Sequence, residues 1–465
     1  MRGIGASDVR ARGFSGGRSD ARARAWSERA RQNLWPLGCL VVIVVTGMLY
    51  SFYWNPLDHH SPGWNTPSDL WSTFRAAQYV TWGGEGQIYN NPAAFQTLPG
   101  IAVLFAPIAK LADSLRMSAS FPLTVARPSA WIILGPAQLA LGGFLLFPLD
   151  ALARRLSVGG RRRIQLLVVE TVLIWPSVAL WGHPEDALSL ALGVYAIIAV
   201  SDGAWLRTAA LFGLALSIQP LIVVIAPLAV AYFPARRWLT MVGVMVLPSL
   251  ALVLAPLVQE WGPTTRILLR QPNFPIHNHP TPWMTLSPIL RAGHVSVSHF
   301  AKYVTLPGGG HHLTEVSLRV YFAPVVAAGP GRIVAVALAG LIGVVVALKK
   351  PSLRQLVWLA ALALALRCAF EPVMVPYYLL PGLALVSVSA ATEGKTRRTI
   401  AALGLGACTL LSYHYFSPWA YYLAMMSTLV VVFFAAWPTS TSRVGGQGSI
   451  RRQGDVTRLD TRVVG

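Results

Sequence analysis

The sequence predicts an all-α fold, a polytopic membrane helix bundle of about 12–13 transmembrane helices with large outer loops. Only 12% of the 465 residues are charged and 54% are hydrophobic, whereas soluble domains are roughly 25% charged. Apolar runs of about 20 residues, the length that spans a bilayer, recur along the chain. Arg and Lys fall in one set of gaps between these runs, and most Asp, Glu and His residues fall in the other. This pattern indicates a polar site on the non-cytoplasmic face.

The two ends of the chain differ from its middle. Residues 1–31 are polar and Arg-rich and are predicted to form a disordered cytoplasmic tail. The first apolar run, Leu34–Phe52, is interpreted as an anchor because a long polar leader precedes it and no small-residue cleavage site follows. Residues 32–437 then form the membrane domain, and residues 438–465 form a second disordered cytoplasmic tail.

The net charge of +20 would also suit a nucleic-acid partner. Most basic residues, however, lie beside predicted helix ends, where the positive-inside rule places them. We therefore predict membrane lipids as partners and no nucleic acid, with the basic residues close to anionic headgroups.

Apolar runs define the candidate spans. They are Leu34–Phe52, Ala130–Asp150, Ile164–Leu180, Pro184–Val200, Leu206–Ile218, Leu221–Phe233, Thr240–Leu257, Arg332–Leu348, Val357–Phe370, Tyr377–Ala391, Ile400–Tyr413 and Ala420–Ala436. One further run, Leu98–Leu111, is interrupted by Pro99 and Pro107 and is predicted to be a short re-entrant or interfacial element. If it crossed fully, every downstream basic cluster would face outward, against the positive-inside rule.

One transmembrane topology places all the basic clusters on the cytoplasmic side. With the N-terminus inside, the clusters that fall inside are Arg154/Arg155, Arg161/Arg162/Arg163, Arg236/Arg237, Lys349/Lys350 and Lys395/Arg397/Arg398. The large outer loops are then residues 53–128 and 258–331, with a tight outer turn at Trp181–Asp186. Gln219–Pro220 is predicted to be a hairpin tip near the outer side.

Two candidate catalytic carboxylates lie in the first outer loop, Asp58 and Asp69. Residues Asp69–Thr81 have the composition of a helix lying along the membrane surface. Asp69, with Ser68 before it, has two interpretations. It caps this helix, or it is a general base whose pKa is raised by partial burial beside apolar helices.

The tight outer turn contributes a second group. In the segment WGHPEDALSL, His183, Glu185 and Asp186 stand where a helix begins. Acidic residues in a first turn suit the helix dipole. Three ionisable groups this close together exceed that need, so we predict Glu185 and Asp186 as catalytic candidates and His183 as substrate-binding. This spacing is compatible with a divalent cation, but no further ligand pattern supports one, and no metal or cofactor is predicted.

The second outer loop is rich in cations. Arg266 and Arg270 are predicted to bind phosphate oxygens, because a guanidinium makes forked contacts with them. His277 and His279, in the segment HNHPTPW, are predicted to contact a sugar. Residues Pro307–His312 are interpreted as a flexible turn.

Ionisable residues also fall in or beside the spans. Arg367 and Glu371 are one helical turn apart and are predicted to pair. Glu170 lies inside a span, where a charge is costly, so it is expected to be protonated or paired.

Several motifs, taken in order, resemble a known enzyme class. In the stretch Ser68–Leu111 the pattern comprises Asp69, Ala76–Ala77, Gly83–Gly84, Ile88–Tyr89 and Pro107–Ile108–Ala109. Later come ALFGLALSIQPLIVVIAPLAV, with Gln219 where Lys is common, and VPYYLLPGLAL, which contains Tyr377. GHPED stands where relatives often carry Gly-Gln, and Thr97–Leu98–Pro99 replaces a usual Tyr-Pro-Pro.

This order resembles the GT-C superfamily of polyprenyl-phosphate-sugar-dependent glycosyltransferases. The nearest branch is the bacterial polyprenyl-phosphate-mannose-dependent alpha-mannosyltransferase-like family. The resemblance implies a GT-C-like fold and a multi-pass protein of the plasma membrane. It implies inverting transfer of a sugar, mannose in that branch, from a polyprenyl-phosphate donor to a lipid-linked or cell-envelope glycan acceptor. Asp69 would be the general base, and Tyr89, Gln219 and Tyr377 would bind substrate.

Other function classes stay open at this point. A multi-pass transporter or lipid-glycan flippase would use Glu170. A non-catalytic scaffold in envelope assembly and an O-antigen-type polymerase or ligase are also compatible with the loops. A transporter is expected to survive the loss of Asp69 but not of Glu170.

Overall fold

The computed structural model describes residues 16–53, 67–90, 95–119, 129–273, 279–305, 311–322, 324–414 and 416–439. The predicted site residues Asp58 and His277 lie outside the described residues. The first helix begins at Gly16, so helical structure extends into the segment predicted as an N-terminal tail.

The described chain is built almost entirely of helices. The α-helices are α1 Gly16–Tyr53, α2 Ser68–Thr81, α3 Gly100–Ser114, α4 Trp131–Gly143, α5 Leu146–Arg155, α6 Gly160–Trp175, α7 Pro184–Ser201, α8 Trp205–Ile218, α9 Ala226–Tyr232, α10 Trp238–Gln259, α11 Trp261–Thr265, α12 Pro330–Lys349, α13 Leu353–Phe370, α14 Leu380–Ala391, α15 Lys395–Leu411 and α16 Pro418–Ala435. Short 3₁₀ or π turns extend several of them, including Pro176–Leu180, Pro220–Ile225 and Pro376–Leu379.

The predicted fold class is confirmed, a polytopic membrane helix bundle. Each candidate span coincides with one helix or with two consecutive helical segments. Among the described residues, eight helices are long and apolar enough to cross a membrane, and three shorter apolar helices accompany them. Their outward faces carry exposed leucine and valine side chains, as expected where lipid replaces water. The chain is therefore a multi-pass membrane protein.

The segment between the first two spans forms two helices on the rim of the bundle. α2 is the helix predicted along the membrane surface, and α3 is the proline-interrupted run predicted to be short. They pack together through a buried apolar cluster that includes Leu70, Phe74, Ile101 and Phe105. This cluster fixes where the beginning of α2 lies.

A proline break positions the chain between α8 and α9. Gln219 is extended, with φ −142° and ψ 115°, and Pro220 starts a 3₁₀ turn. The residue before a proline is disfavoured in helical conformation, which explains why α8 ends at Ile218. Gln219 still donates its backbone N–H to the carbonyl of Ala215 at 3.0 Å, but the helix ends there and the Gln219 side chain reaches Asp186 at the start of α7.

The basic clusters meet at one end of the bundle. Arg163 binds Asp150 through Nε at 2.7 Å and Nη2 at 2.8 Å. Glu393 pairs with Arg354 and with Arg397, the latter at 3.0 Å. The Arg354–Glu393 pair joins residues 39 positions apart, whereas the other two pairs link neighbouring segments. The positive-inside rule predicts that this end faces the cytoplasm.

Strands occur only outside the helical bundle in the described chain, and most lie in the second outer loop. β1 His279–Pro280 pairs with β6 Val373–Met374, and β2 Ile289–Arg291 pairs with β5 Val325–Val326. A longer antiparallel hairpin joins β3 His294–Thr305 to β4 His311–Phe322, with Thr305 opposite His311. The all-α expectation did not include this hairpin. Its alternating β-branched and polar residues are the pattern of a strand.

Cysteine substitutions at two glycines, one at each end of the bundle, test the predicted transmembrane topology. Gly159 precedes α6 at the basic end and Gly262 lies in α11, and a Cβ at either position meets no atom within 4 Å. We expect Gly262→Cys to react with a membrane-impermeant maleimide in intact cells, and Gly159→Cys to react only after permeabilisation. A Cys39→Ser background serves both, because the other cysteines, Cys368 and Cys408, are buried. Labelling of Gly159→Cys in intact cells would show that the predicted membrane orientation is wrong.

Candidate active site

The first turn of α2 reaches the start of α7 through Asp69. Oδ2 of Asp69 lies 3.0 Å from Nε2 of His183, and the Asp69 side chain is 42% exposed. The N-cap of α2 is Pro67, with no side-chain capping hydrogen bond. The interpretation of Asp69 as a helix cap is therefore not supported, and its contact is with the second candidate group.

Gly182 allows this approach. It has φ +73°, a left-handed conformation that favours glycine. A Cβ at this position would lie 2.7 Å from Cβ of Leu70 and 2.8 Å from Cβ of Pro67. Any side chain here would push α2 away from the turn before α7 and separate Asp69 from His183.

His183 joins two carboxylates. Its Nδ1 is 2.6 Å from Oε1 of Glu185, while Nε2 faces Asp69, and its ring stacks on Tyr377 with centroids 3.7 Å apart. Burial alone would lower the pKa of His183, but the Glu185 and Asp69 carboxylates outweigh burial and raise the pKa to about 10. Each ring nitrogen of His183 therefore faces a carboxylate oxygen, and the protonated ring can donate to both.

Glu185 and Asp186 lie in the first turn of α7 and are almost fully buried. Nε2 of Gln219 donates to Oδ1 of Asp186 at 2.8 Å. Oε2 of Glu185 and Oδ2 of Asp186 have no hydrogen-bond partner within the described part of the chain. An acidic side chain interacts favourably with a helix dipole while it is exposed to solvent. The burial of both carboxylates is therefore not explained by the dipole of α7.

A second charged group faces the same space. Oε1 of Glu371 accepts from Nε and Nη2 of Arg332 at 2.9 and 2.7 Å, and from Nε of Arg367 at 3.4 Å. The predicted pair of Arg367 and Glu371 is thus confirmed, although Arg332 is the closer partner. Arg367 also lies over the ring of Tyr378, 3.3 Å from its centroid, and Arg332 donates to Gln271.

These groups surround one cavity of about 770 Å³. Its lining includes Asp69, His183 and Glu185, and also Arg332 and Arg367 with Glu371 between them. Apolar side chains line it as well, among them Val223, Val224, Val336 and Leu364. Val223 and Val336 are more than 40% exposed and belong to apolar helical segments, so this apolar part of the lining is open.

The cavity brings together most of the predicted residues that the structure describes. Asp69, His183, Glu185, Gln219 and Tyr377 line it, and Asp186 lies directly behind Gln219. Asp69, His183 and Glu185 thus line the same cavity, and Asp186 adjoins it through Gln219.

Four predicted residues lie away from the cavity lining. Tyr89 is buried and donates to the carbonyl of Thr97 at 2.9 Å, which supports the segment that lines the cavity. His279 stacks on Tyr421, and its Nε2 is 3.0 Å from the carbonyl of Ser412. Arg266 and Arg270 are exposed on a turn of π-helix. The substrate-binding roles assigned to these residues stay predictions.

Arg332 and Gln271 line the cavity but were not among the site residues predicted from the sequence. Arg332 stands at the outer end of a predicted span, and this position was its only sequence signal. An arginine on the non-cytoplasmic side runs against the usual bias and could have been singled out for that reason.

Comparison with known proteins adds no family assignment. No protein-family model matches the chain, and no curated protein matches it. The resemblance to the GT-C glycosyltransferases therefore rests on the order of motifs described above.

Glu371 is expected to stabilise the basic side of the cavity. Glu371→Gln removes the carboxylate between Arg332 and Arg367, and breaking a buried pair in this way costs roughly 3–5 kcal/mol. The measurement is the melting temperature of the purified protein in detergent. Glu85→Gln, an exposed position, is the matched control and should hardly change it. Equal melting temperatures for the two variants would show that the ion pair contributes little.

Proposed function

We propose that the chain is a membrane glycosyltransferase that moves a sugar from a polyprenyl-phosphate donor to a lipid-linked or cell-envelope glycan acceptor. The reaction takes place at the outer face of the plasma membrane, with Asp69 as general base. Mannose is the sugar that the family resemblance favours.

One observation carries the proposal, namely that a single cavity is lined by three chemically different kinds of side chain. Asp69 and Glu185 supply carboxylates, Arg332 and Arg367 supply cations, and residues such as Val223 and Val336 supply apolar surface. A phosphorylated lipid carrying a sugar has three parts that suit them. Its phosphate suits Arg332 and Arg367, its isoprenoid tail suits the apolar side chains and surrounding lipid, and its sugar would lie toward Asp69.

The reaction follows from these positions. Asp69 takes the proton of an acceptor hydroxyl, and that oxygen attacks the anomeric carbon of the donor sugar. The bond from the anomeric carbon to the phosphate oxygen breaks with inversion, and polyprenyl phosphate leaves with the electron pair. Arg332 and Arg367 stabilise the charge that develops on the phosphate.

His183 positions the base in this scheme. Its hydrogen bond to Oδ2 fixes the orientation of the Asp69 carboxylate, and its contact with Glu185 anchors the ring to α7. Stacking on Tyr377 restricts ring rotation further. A base held in this way loses little freedom when the acceptor binds.

The structure favours different phosphate-binding residues from those the sequence suggested. Arg266 and Arg270 are exposed outside the cavity lining, whereas Arg332 and Arg367 line it. Both of the latter are held by Glu371, so their guanidinium groups are ordered before a ligand arrives.

A transporter using Glu170 is the alternative. Glu170 is fully buried within a span, and Ser387 donates a hydrogen bond to its Oε1. It is not among the residues that line the cavity. This separation favours a structural role for Glu170, and the first experiment below includes it.

Substitution of Asp69 tests the chemistry. Asp69→Asn keeps the shape but cannot take up a proton near neutral pH, so we expect turnover to fall by roughly 10²–10⁴. The measurement is glycolipid formation by membranes supplied with radiolabelled polyprenyl-phosphate mannose, at equal protein level. Glu170→Gln is the comparison and should retain turnover. Wild-type product from Asp69→Asn membranes would remove Asp69 from the mechanism, and loss of activity in Glu170→Gln alone would favour the transporter.

Substitution of Arg332 tests the phosphate contact. Hydrogen bonds to charged groups contribute about 1.5–3 kcal/mol, so Arg332→Gln should weaken donor binding roughly 10- to 150-fold. Glu371 keeps Arg367 as a partner in this variant. Donor affinity is measured by titration of the purified protein, with Arg291→Gln, at an exposed outer position, as the control. Unchanged affinity in Arg332→Gln would exclude this arginine from the donor site.

A further inference from the structure

His183, Glu185 and Asp186 form a compact set of metal-ligating groups. Each offers one ligand atom, and these atoms all lie within 4.8 Å of one another. They come from one tight turn and the first turn of α7, so their relative positions are fixed by a single short segment.

Two carboxylate oxygens in this cluster are buried without a hydrogen-bond partner, which indicates that the cluster receives a ligand. Glu185 is 3% exposed and Asp186 is 1% exposed, yet Oε2 of the first and Oδ2 of the second have no hydrogen-bond partner in the described chain. A buried carboxylate oxygen without a partner is costly, more so than a neutral group. His183 contacts Oε1 of Glu185 but leaves both of these oxygens unpaired.

The surrounding contacts are those of an outer coordination shell. A metal-bound histidine usually donates its second ring N–H to a carboxylate, and Asp69 stands 3.0 Å from Nε2 of His183. Ligating carboxylates are hydrogen-bonded in turn, and Gln219 donates to Oδ1 of Asp186 at 2.8 Å. These contacts leave Oδ2 of Asp186 without a partner, and Nδ1 of His183 faces Glu185, the second carboxylate of the cluster.

We propose that His183, Glu185 and Asp186 bind one divalent transition-metal ion of the Zn²⁺ or Mn²⁺ class. An imidazole nitrogen with carboxylate oxygens suits these ions, whereas Ca²⁺ and Mg²⁺ prefer oxygen ligands alone. The ion would lie among Nδ1 of His183 and the carboxylates of Glu185 and Asp186, and it would supply a partner for their buried oxygens.

The cavity gives this ion access to a ligand. Three protein ligands leave a coordination position open, as in catalytic zinc sites. His183 and Glu185 line the cavity, so an oxygen of a bound molecule can fill that position. Metal binding at this cluster is independent of sugar transfer and is testable without any assay of activity.

Metal retention is the test. Full-length protein is purified in detergent through a streptavidin-binding tag, incubated with ZnCl₂ or MnCl₂, desalted, and analysed by plasma mass spectrometry. We expect the wild type to retain about one ion per chain. The Glu185→Gln/Asp186→Asn double variant keeps shape and Gln219 contact but loses both charged ligands, and it should retain none. Asp113→Asn removes a carboxylate that binds Gln78 and Trp82 elsewhere on the outer rim, and it should match the wild type.

X-ray absorption of the zinc-loaded wild type keeps the test decisive if the double variant fails to fold. We expect a shell of nitrogen and oxygen ligands at about 2.0–2.2 Å with no sulfur. A wild type that retains no ion, a double variant that retains as much as the wild type, or a shell of oxygen alone would overturn the site. Sugar transfer that continues in protein shown to be metal-free would leave the proposed function standing.

Discussion

The contact between Asp69 and His183 links the rim of this protein to its core. α2 lies on the rim of the bundle and holds Asp69, while His183 belongs to the turn that begins a buried helix. The 3.0 Å contact brings the two together, and Gly182 leaves room for it. Without this contact the cavity would keep its arginines and its apolar side chains but lose a fixed carboxylate. The other residues of the proposed site act on a substrate whose position is set by this pair.

Most charged residues lie at the two ends of the helix bundle. Ionised groups are costly in the hydrocarbon region, so the chain concentrates them at its two ends. At one end Asp150 and Glu393 pair with arginines from several loops and hold those loops together. At the other end the pairing is incomplete, because one buried carboxylate oxygen each of Glu185, Asp186 and Glu371 has no partner in the described chain. Full pairing is what a structural network needs, whereas incomplete pairing is typical of a site that receives a ligand.

Much of the fold and part of the candidate site were predictable from the sequence. Apolar length and the positive-inside rule located the spans, because both reflect a bilayer that acts uniformly along the chain. The grouping of His183 with Asp69 was also predictable, since both fall in outer segments next to the same bundle rim. The role of Arg332 was not, because its partners Glu371 and Gln271 are distant in sequence and meet only through helix packing. The placement of Arg266 and Arg270 outside the cavity lining likewise depends on how a turn of π-helix orients the chain, which no local pattern encodes. The β3–β4 hairpin carried a strand pattern that the overall helical composition outweighed.

The central claim is that one cavity holds the sugar-phosphate of a membrane lipid between Asp69 and the arginines. The most direct measurement is a cryo-electron microscopy structure of the protein with a non-hydrolysable polyprenyl-phosphonate sugar. The account predicts density for the phosphonate in hydrogen-bond contact with Arg332 or Arg367, with the sugar beside Asp69 and the isoprenoid tail leaving past Val223 and Val336. A headgroup bound outside the cavity, or a phosphonate bound by Arg266 and Arg270 away from Asp69, would contradict it.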